Sequence, residues 1–101
     1  MGTRAKSLYN TISGATFASA ASEFYNKAQT AYAKSDYASA VQDYVKAFKC
    51  DSTNVNAAYY AAKCYVALSQ TDNAKKYYGY IVNDFKTSGY YKEANDYVSS
   101  H

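Results

Sequence analysis

The sequence has no proline and no tryptophan, only one histidine and only two cysteines. Without proline, nothing forces a helix to stop or kink, so long helices are permitted. Catalysis usually needs a histidine, an activated nucleophile or paired carboxylates, and the single histidine here is the last residue, His101. We therefore expect a protein that is not an enzyme. Two cysteines are also fewer than a disulfide framework needs in a small secreted domain.

The charge is mild and the apolar runs are short. Eleven basic and eight acidic residues give a net charge of +3, too small and too scattered for a nucleic-acid-binding surface. No stretch approaches the roughly 18 consecutive apolar residues of a membrane span, so we expect no membrane insertion of this segment. No zinc-ligand spacing and no glycine-rich phosphate loop occur, so we expect no metal and no cofactor.

What the sequence does contain is alanine and tyrosine at helical spacing, including 14 tyrosines. This spacing predicts about six helices and, with no two-residue alternation, no strands. The first is short, over about residues 4–13, and Gly14 ends it. The second starts at a Thr16 cap and ends at Ser35. Polar turns at 51–54, 69–72 and 86–89 then separate the third, fourth, fifth and sixth helices, and the last covers about residues 90–98.

A shift of 34 residues aligns the two middle hairpins with each other. Small residues recur where the helices of a hairpin must cross closely, and large aromatic residues recur beside them. The equivalent pairs are Ala28 and Ala62, Ser35 and Ser69, Ala40 and Ala74, and Tyr44 and Tyr78. We expect Ala40 and Ala74 to be nearly fully buried. Cys50 and Cys64 should be small thiols on apolar helix faces, not bonded to each other.

The stretches FYNKAQTAYAKSDYASAVQDYVKAF and AAYYAAKCYVALSQTDNAKKYYGYIV resemble two tetratricopeptide repeats. The resemblance implies an all-α fold of antiparallel hairpins stacked as a short right-handed solenoid. The hairpins would be 16–53 and 54–88, with an N-terminal capping helix in 1–15. Residues 89–101 would form a C-terminal capping helix or a truncated third repeat. Family members commonly have glycine where this chain has Ser35 and Ser69.

In tetratricopeptide proteins the first helix of each hairpin lines a concave groove that holds a peptide. The resemblance implies that the groove residues here are Tyr25, Asn26, Gln29, Tyr59 and Lys63. Members that bind chaperones clamp a terminal carboxylate with several basic residues and asparagines. Only Lys63 and Asn26 could serve in that way, which disfavours such a ligand. Tyrosine is abundant throughout the chain, so the groove tyrosines could equally be ordinary surface residues.

The expected function is a non-catalytic module that binds a protein or peptide, as a monomer or a weak homo-oligomer. The alternative is an architectural segment of a larger bacterial cell-envelope repeat protein, because VNDFKTSGYYKEANDY resembles repeat ends in such members. The sequence is compatible with two cellular compartments. Reduced thiols suit the cytoplasm, whereas the low charged fraction of 19% suits the cell envelope.

Overall fold

A computed structural model describes residues 14–101, with side-chain surroundings from Ala20 onward. In this part of the chain all regular structure is helical, as predicted. The helices are α1 (Gly14–Ala33), α2 (Tyr37–Cys50), α3 (Val55–Ala67), α4 (Thr71–Asp84) and α5 (Tyr91–Ser100). Each helix packs against the next along the chain. The predicted first helix, at about residues 4–13, lies outside the described residues.

Two predicted helix starts are wrong by a few residues. Gly14, the first described residue, and Thr16 are both helical, so Thr16 lies inside α1 and does not cap it. Thr71 and Asp72, predicted as turn residues, form the first turn of α4. There the Asp72 carboxylate lies near the positive end of the helix dipole.

Polar residues in two of the predicted turns cap the helices that follow them. The Asp36 side chain accepts a hydrogen bond from the backbone N–H of Ser39 at 3.3 Å and begins α2. The Asn54 side chain accepts one from the backbone N–H of Ala57 at 3.1 Å and begins α3. Each cap satisfies a backbone donor that the first helical turn leaves without a partner. The turns predicted around Asp36 and Asn54 thus each end at the residue that caps the next helix.

The turns that close α1 and α3 are copies of each other. Ser35 and Ser69 have positive φ angles of 62° and 61°, the left-handed conformation that usually selects glycine. After each serine a backbone N–H reaches five residues back: Asp36 to Ala31 at 2.9 Å, and Gln70 to Tyr65 at 2.8 Å. The 34-residue period of the sequence is thus also a period of the backbone.

Alanine fills the seam inside each hairpin. Ala28, Ala40, Ala62 and Ala74 all have an exposed fraction of 0%, which confirms the prediction for Ala40 and Ala74. The large residues beside them, Tyr44 and Tyr78, are buried in the same core. Cys64 is a buried free thiol and Cys50 a half-buried one. Burial raises the pKa of Cys64 to about 12, so this thiol is protonated and unreactive at neutral pH.

The repeat changes register after α4. The connection between α2 and α3 is residues 51–54, whereas the connection between α4 and α5 is residues 85–90. Helix α5 therefore starts 36 positions after α3, not 34. Because of these two additional residues, the sequence after Phe85 is no longer aligned with the preceding repeat by a shift of 34 residues.

Candidate functional site

The five predicted groove residues lie on two helices, with Tyr25, Asn26 and Gln29 on α1, and Tyr59 and Lys63 on α3. Asn26 and Gln29 are exposed, and the other three are half-buried. The neighbours of these residues in space differ between the two hairpins. Tyr25 and Gln29 contact Tyr44 of their own hairpin, whereas Tyr59 and Lys63 also contact α5 or the connection before it.

In the first hairpin, Gln29 and Tyr25 both contact Tyr44 of α2. The Tyr44 hydroxyl donates a hydrogen bond to Oε1 of Gln29. The Tyr25 ring packs edge-on against the Tyr44 ring with a centroid distance of 5.6 Å. Burial, followed by the neighbouring tyrosines, raises the pKa of Tyr25, and burial is also the main cause of the raised pKa of Tyr44. This part of the site is neutral and stays so across the physiological range.

In the second hairpin, a carboxylate from α5 meets the equivalent residues. The Tyr59 hydroxyl donates to Oε1 of Glu93 at 2.9 Å, and the Tyr78 hydroxyl donates to Oε2 at 2.9 Å. Lys63 Nζ also donates to Oε2, at 3.3 Å, in an ion pair. Two phenols and an ammonium group from α3 and α4 thus hold one carboxylate of α5.

This arrangement changes the acidity of its members. Partial burial of Glu93 would raise its pKa, but the hydrogen bonds from Tyr59 and Tyr78 and the charge of Lys63 outweigh burial and lower it. Burial and the bond to Glu93 raise the pKa of Tyr59 and of Tyr78. Glu93 is therefore ionised and both phenols are protonated at neutral pH, which is the combination that the hydrogen bonds require.

A tyrosine from the α4–α5 connection covers Tyr59. The rings of Tyr59 and Tyr90 are stacked, with a centroid distance of 3.9 Å and an angle of 6° between their planes. The Tyr90 hydroxyl donates to Oδ1 of Asn56 at 2.6 Å. Two of the predicted groove residues, Tyr59 and Lys63, are thus held by α5 and its connection.

An open cleft of about 670 Å³ lies beside this arrangement, between α3 and α5. Tyr78, which is 2% exposed, forms part of the floor. Apolar surface comes from Val66 and Tyr97, and the charged residues of the lining include Lys63, Glu93 and Asp96. Val66 is 42% exposed and is the only large hydrophobic residue in the described range with an exposed side chain.

Sequence reasoning missed the role of Glu93 and Tyr90. A signal was present, because Tyr90, Glu93 and Tyr97 follow one another at spacings of three and four residues, which place side chains on one face of a helix. The pattern does not show which neighbour that face meets. The six-residue connection, together with the packing of α5, decides that it meets α3 and α4.

The described residues contain no group of three side chains that could hold a metal ion. None of the described helices is long and apolar enough to cross a membrane. When the chain is compared with known proteins, no protein-family model and no curated protein matches it.

Proposed function

We propose that this chain is a repeat module of the tetratricopeptide type that binds a protein or peptide partner and catalyses no reaction. The observation that carries the proposal is the open cleft between α3 and α5, with its exposed Val66. The volume of about 670 Å³ falls within the range of roughly 300–1,000 Å³ typical of pockets that bind small ligands or side chains.

The repeat geometry supports the assignment to this type of fold. The paired left-handed serines and the buried alanines recur at the same interval of 34 residues, in backbone conformation as well as in sequence. Stacked helical hairpins present a surface built on rigid elements, which suits binding because little order has to be gained when the partner docks.

The chemistry of the cleft suits a peptide. Its walls combine the apolar faces of tyrosine rings and of Val66 with hydroxyl and charged groups at the edge. Tyrosine provides a large contact area with few rotatable bonds, so its burial costs little conformational entropy. Asn26 and Gln29, which are exposed on α1, lie outside the lining of this cleft. We expect micromolar binding, near −8 kcal/mol.

The test is a pair of matched variants at adjacent positions of α3. Peptides are first selected from a randomised library for binding to the parent chain. Their affinities for Val66→Asp and for Ala67→Asp are then measured. Ala67 is exposed but does not line the cleft, and both variants place the same charge in the same helical turn. We expect Val66→Asp to weaken binding tenfold or more, about 1.4 kcal/mol, and Ala67→Asp to leave it unchanged. Equal affinity of both variants would place the partner elsewhere.

A second candidate function, architectural stacking, has one observation in its favour. Helix α5 packs on α4, and its Glu93 accepts hydrogen bonds from residues of α3 and α4. The first helix of another hairpin would pack in much the same way. Further repeats or another copy of the chain could continue the stack from there. Light scattering over a dilution series separates the candidates. A stable dimer that Tyr91→Lys dissociates would favour assembly, and a monomer at all concentrations would favour peptide capture.

A further inference from the structure

Three tyrosine rings form a closed cluster where the first hairpin meets α3. The Tyr32 ring packs edge-on against Tyr44 at 6.2 Å and against Tyr60 at 5.3 Å, and Tyr60 stacks on Tyr44 at 5.5 Å. The three residues come from α1, α2 and α3, so the cluster joins the hairpin to the helix that follows it. Tyr32 is half-buried as a result.

The second hairpin has a similar group of rings with one ring fewer. Tyr78 is equivalent to Tyr44 at a distance of 34 positions, and the Tyr97 ring of α5 packs against it at 4.9 Å in a tilted arrangement, on the side that corresponds to Tyr60 although Tyr97 is not the repeat equivalent of Tyr60. The residue equivalent to Tyr32 is Val66, which has no ring. The cleft of about 670 Å³ opens beside Val66, Tyr78 and Tyr97. It therefore lies where the third ring of the first cluster would be.

The charges around the cleft favour an uncharged occupant. Of the two lysines that line it, Lys63 pairs with Glu93 at 3.3 Å and Lys92 pairs with Asp96 at 3.2 Å. The two lysines and the two carboxylates of the lining balance each other, so the cleft carries no net charge that would attract a cation or a carboxylate. An aromatic ring needs none, and it gains favourable edge-on contact with both remaining tyrosines.

We infer that the cleft beside Val66 receives a phenylalanine or tyrosine side chain of the bound partner, which completes in the second hairpin the three-ring cluster that Tyr32 completes in the first. The inference rests on the proposed peptide-binding function and specifies the chemistry of its ligand. The protein itself provides a precedent for this contact, because the equivalent floor residue, Tyr44, together with Tyr60, already holds the Tyr32 ring one repeat earlier.

The first experiment uses 4-methylphenol, which is the tyrosine side chain as a free molecule, and follows the methyl signals of Val66 by NMR. We expect saturable shifts at Val66 and Tyr97, and much weaker ones with 4-methylcyclohexanol, which has a similar size but no aromatic ring.

Val66→Tyr should fill the cleft from within, raise the Tm and abolish the shifts at Tyr97. Ala67→Tyr adds the same ring outside the cleft and should change neither. A lower Tm for Val66→Tyr than for the parent, or 4-methylphenol shifts located away from the cleft, would overturn the inference.

A second experiment separates this inference from the proposed function. Peptides selected from the library are sorted by whether they contain an aromatic residue, and each is measured against Val66→Tyr and Ala67→Tyr. Enrichment of aromatic peptides that lose at least tenfold in affinity with Val66→Tyr alone supports both ideas. Selected peptides that lack aromatic residues and are sensitive to Val66→Asp would preserve peptide capture and overturn the aromatic occupant. If no peptide binds while 4-methylphenol still saturates the cleft, peptide capture fails and the aromatic preference of the cleft stands.

Discussion

The two hairpins share their internal seam and differ at the face that meets the next helix. Within each hairpin the same alanines are buried and the same left-handed serine closes the first helix. At the outer face, Tyr44 bonds to the neutral Gln29, whereas Tyr78 bonds to the ionised Glu93. Close helix crossing constrains the seam in both units, while the outer face varies with the element that follows it. Four predictions test this comparison, in order of decreasing effect.

The largest effect is expected inside the seam, where the two hairpins should respond alike. Ala40→Leu and Ala74→Leu each insert a large side chain at a position with no exposed surface, which should cost about 1–3 kcal/mol of the free energy of unfolding. Chemical denaturation measures both. Ala67→Leu, on the exposed part of α3, is the control and should change little. A large cost at one position and none at the other would break the equivalence of the two seams.

Removal of the tyrosine hydroxyls should show the difference between the outer faces. Tyr78→Phe loses a hydrogen bond to a carboxylate and should cost about 1.5 kcal/mol, whereas Tyr44→Phe loses one to an amide and should cost about 1 kcal/mol or less. Denaturation of both variants gives the two costs. In a Glu93→Gln background the cost of Tyr78→Phe should fall toward that of Tyr44→Phe. If Glu93→Gln leaves it unchanged, the carboxylate is not what distinguishes the hairpins.

Glycine at the two left-handed positions should stabilise both hairpins. Ser35→Gly and Ser69→Gly remove the clash that a side chain suffers at positive φ, and we expect a gain of about 0.5–1 kcal/mol each after the added flexibility of the unfolded chain is counted. The sites are distant from each other in the sequence and share no partner, so the double variant should show the sum. Thermal unfolding checks this. Ser39→Gly, inside helix α2, is a matched control that should destabilise.

The smallest effect is a dependence on pH that only the second hairpin should show. Burial acts to raise the pKa of Glu93, but its hydrogen bonds and Lys63 lower it below its usual value of 4.5. Because the folded pKa is lowered, the ionised group stabilises the protein fully above its usual pKa of 4.5, and this stabilisation is lost as the pH falls through the folded pKa. Amide hydrogen exchange should show α5 loosening in that acidic window before α2 does. Glu93→Gln should remove the pH dependence, and its persistence would assign it to another group.

Much of the fold could be predicted because its causes are local. Helical spacing of Tyr and Ala, turn-forming residues such as Asp36, and the 34-residue period all act within short stretches of chain. The candidate site could be predicted only in part. Lys63 is one of the groove residues that the resemblance implies, but its pairing with Glu93 also depends on how the α4–α5 connection positions α5.

The sequence by itself determined the all-helical class, the two equivalent hairpins and the buried alanine seam, because residue size and turn chemistry act at fixed spacings along the chain. Only the tertiary structure decided how α5 sits on those hairpins. It brought Tyr90 and Glu93 onto Tyr59 and left a cleft beside Val66. The reason is geometric. The two additional residues before α5 break the repeat register, and contacts between distant segments then depend on three-dimensional packing, which a one-dimensional period does not describe.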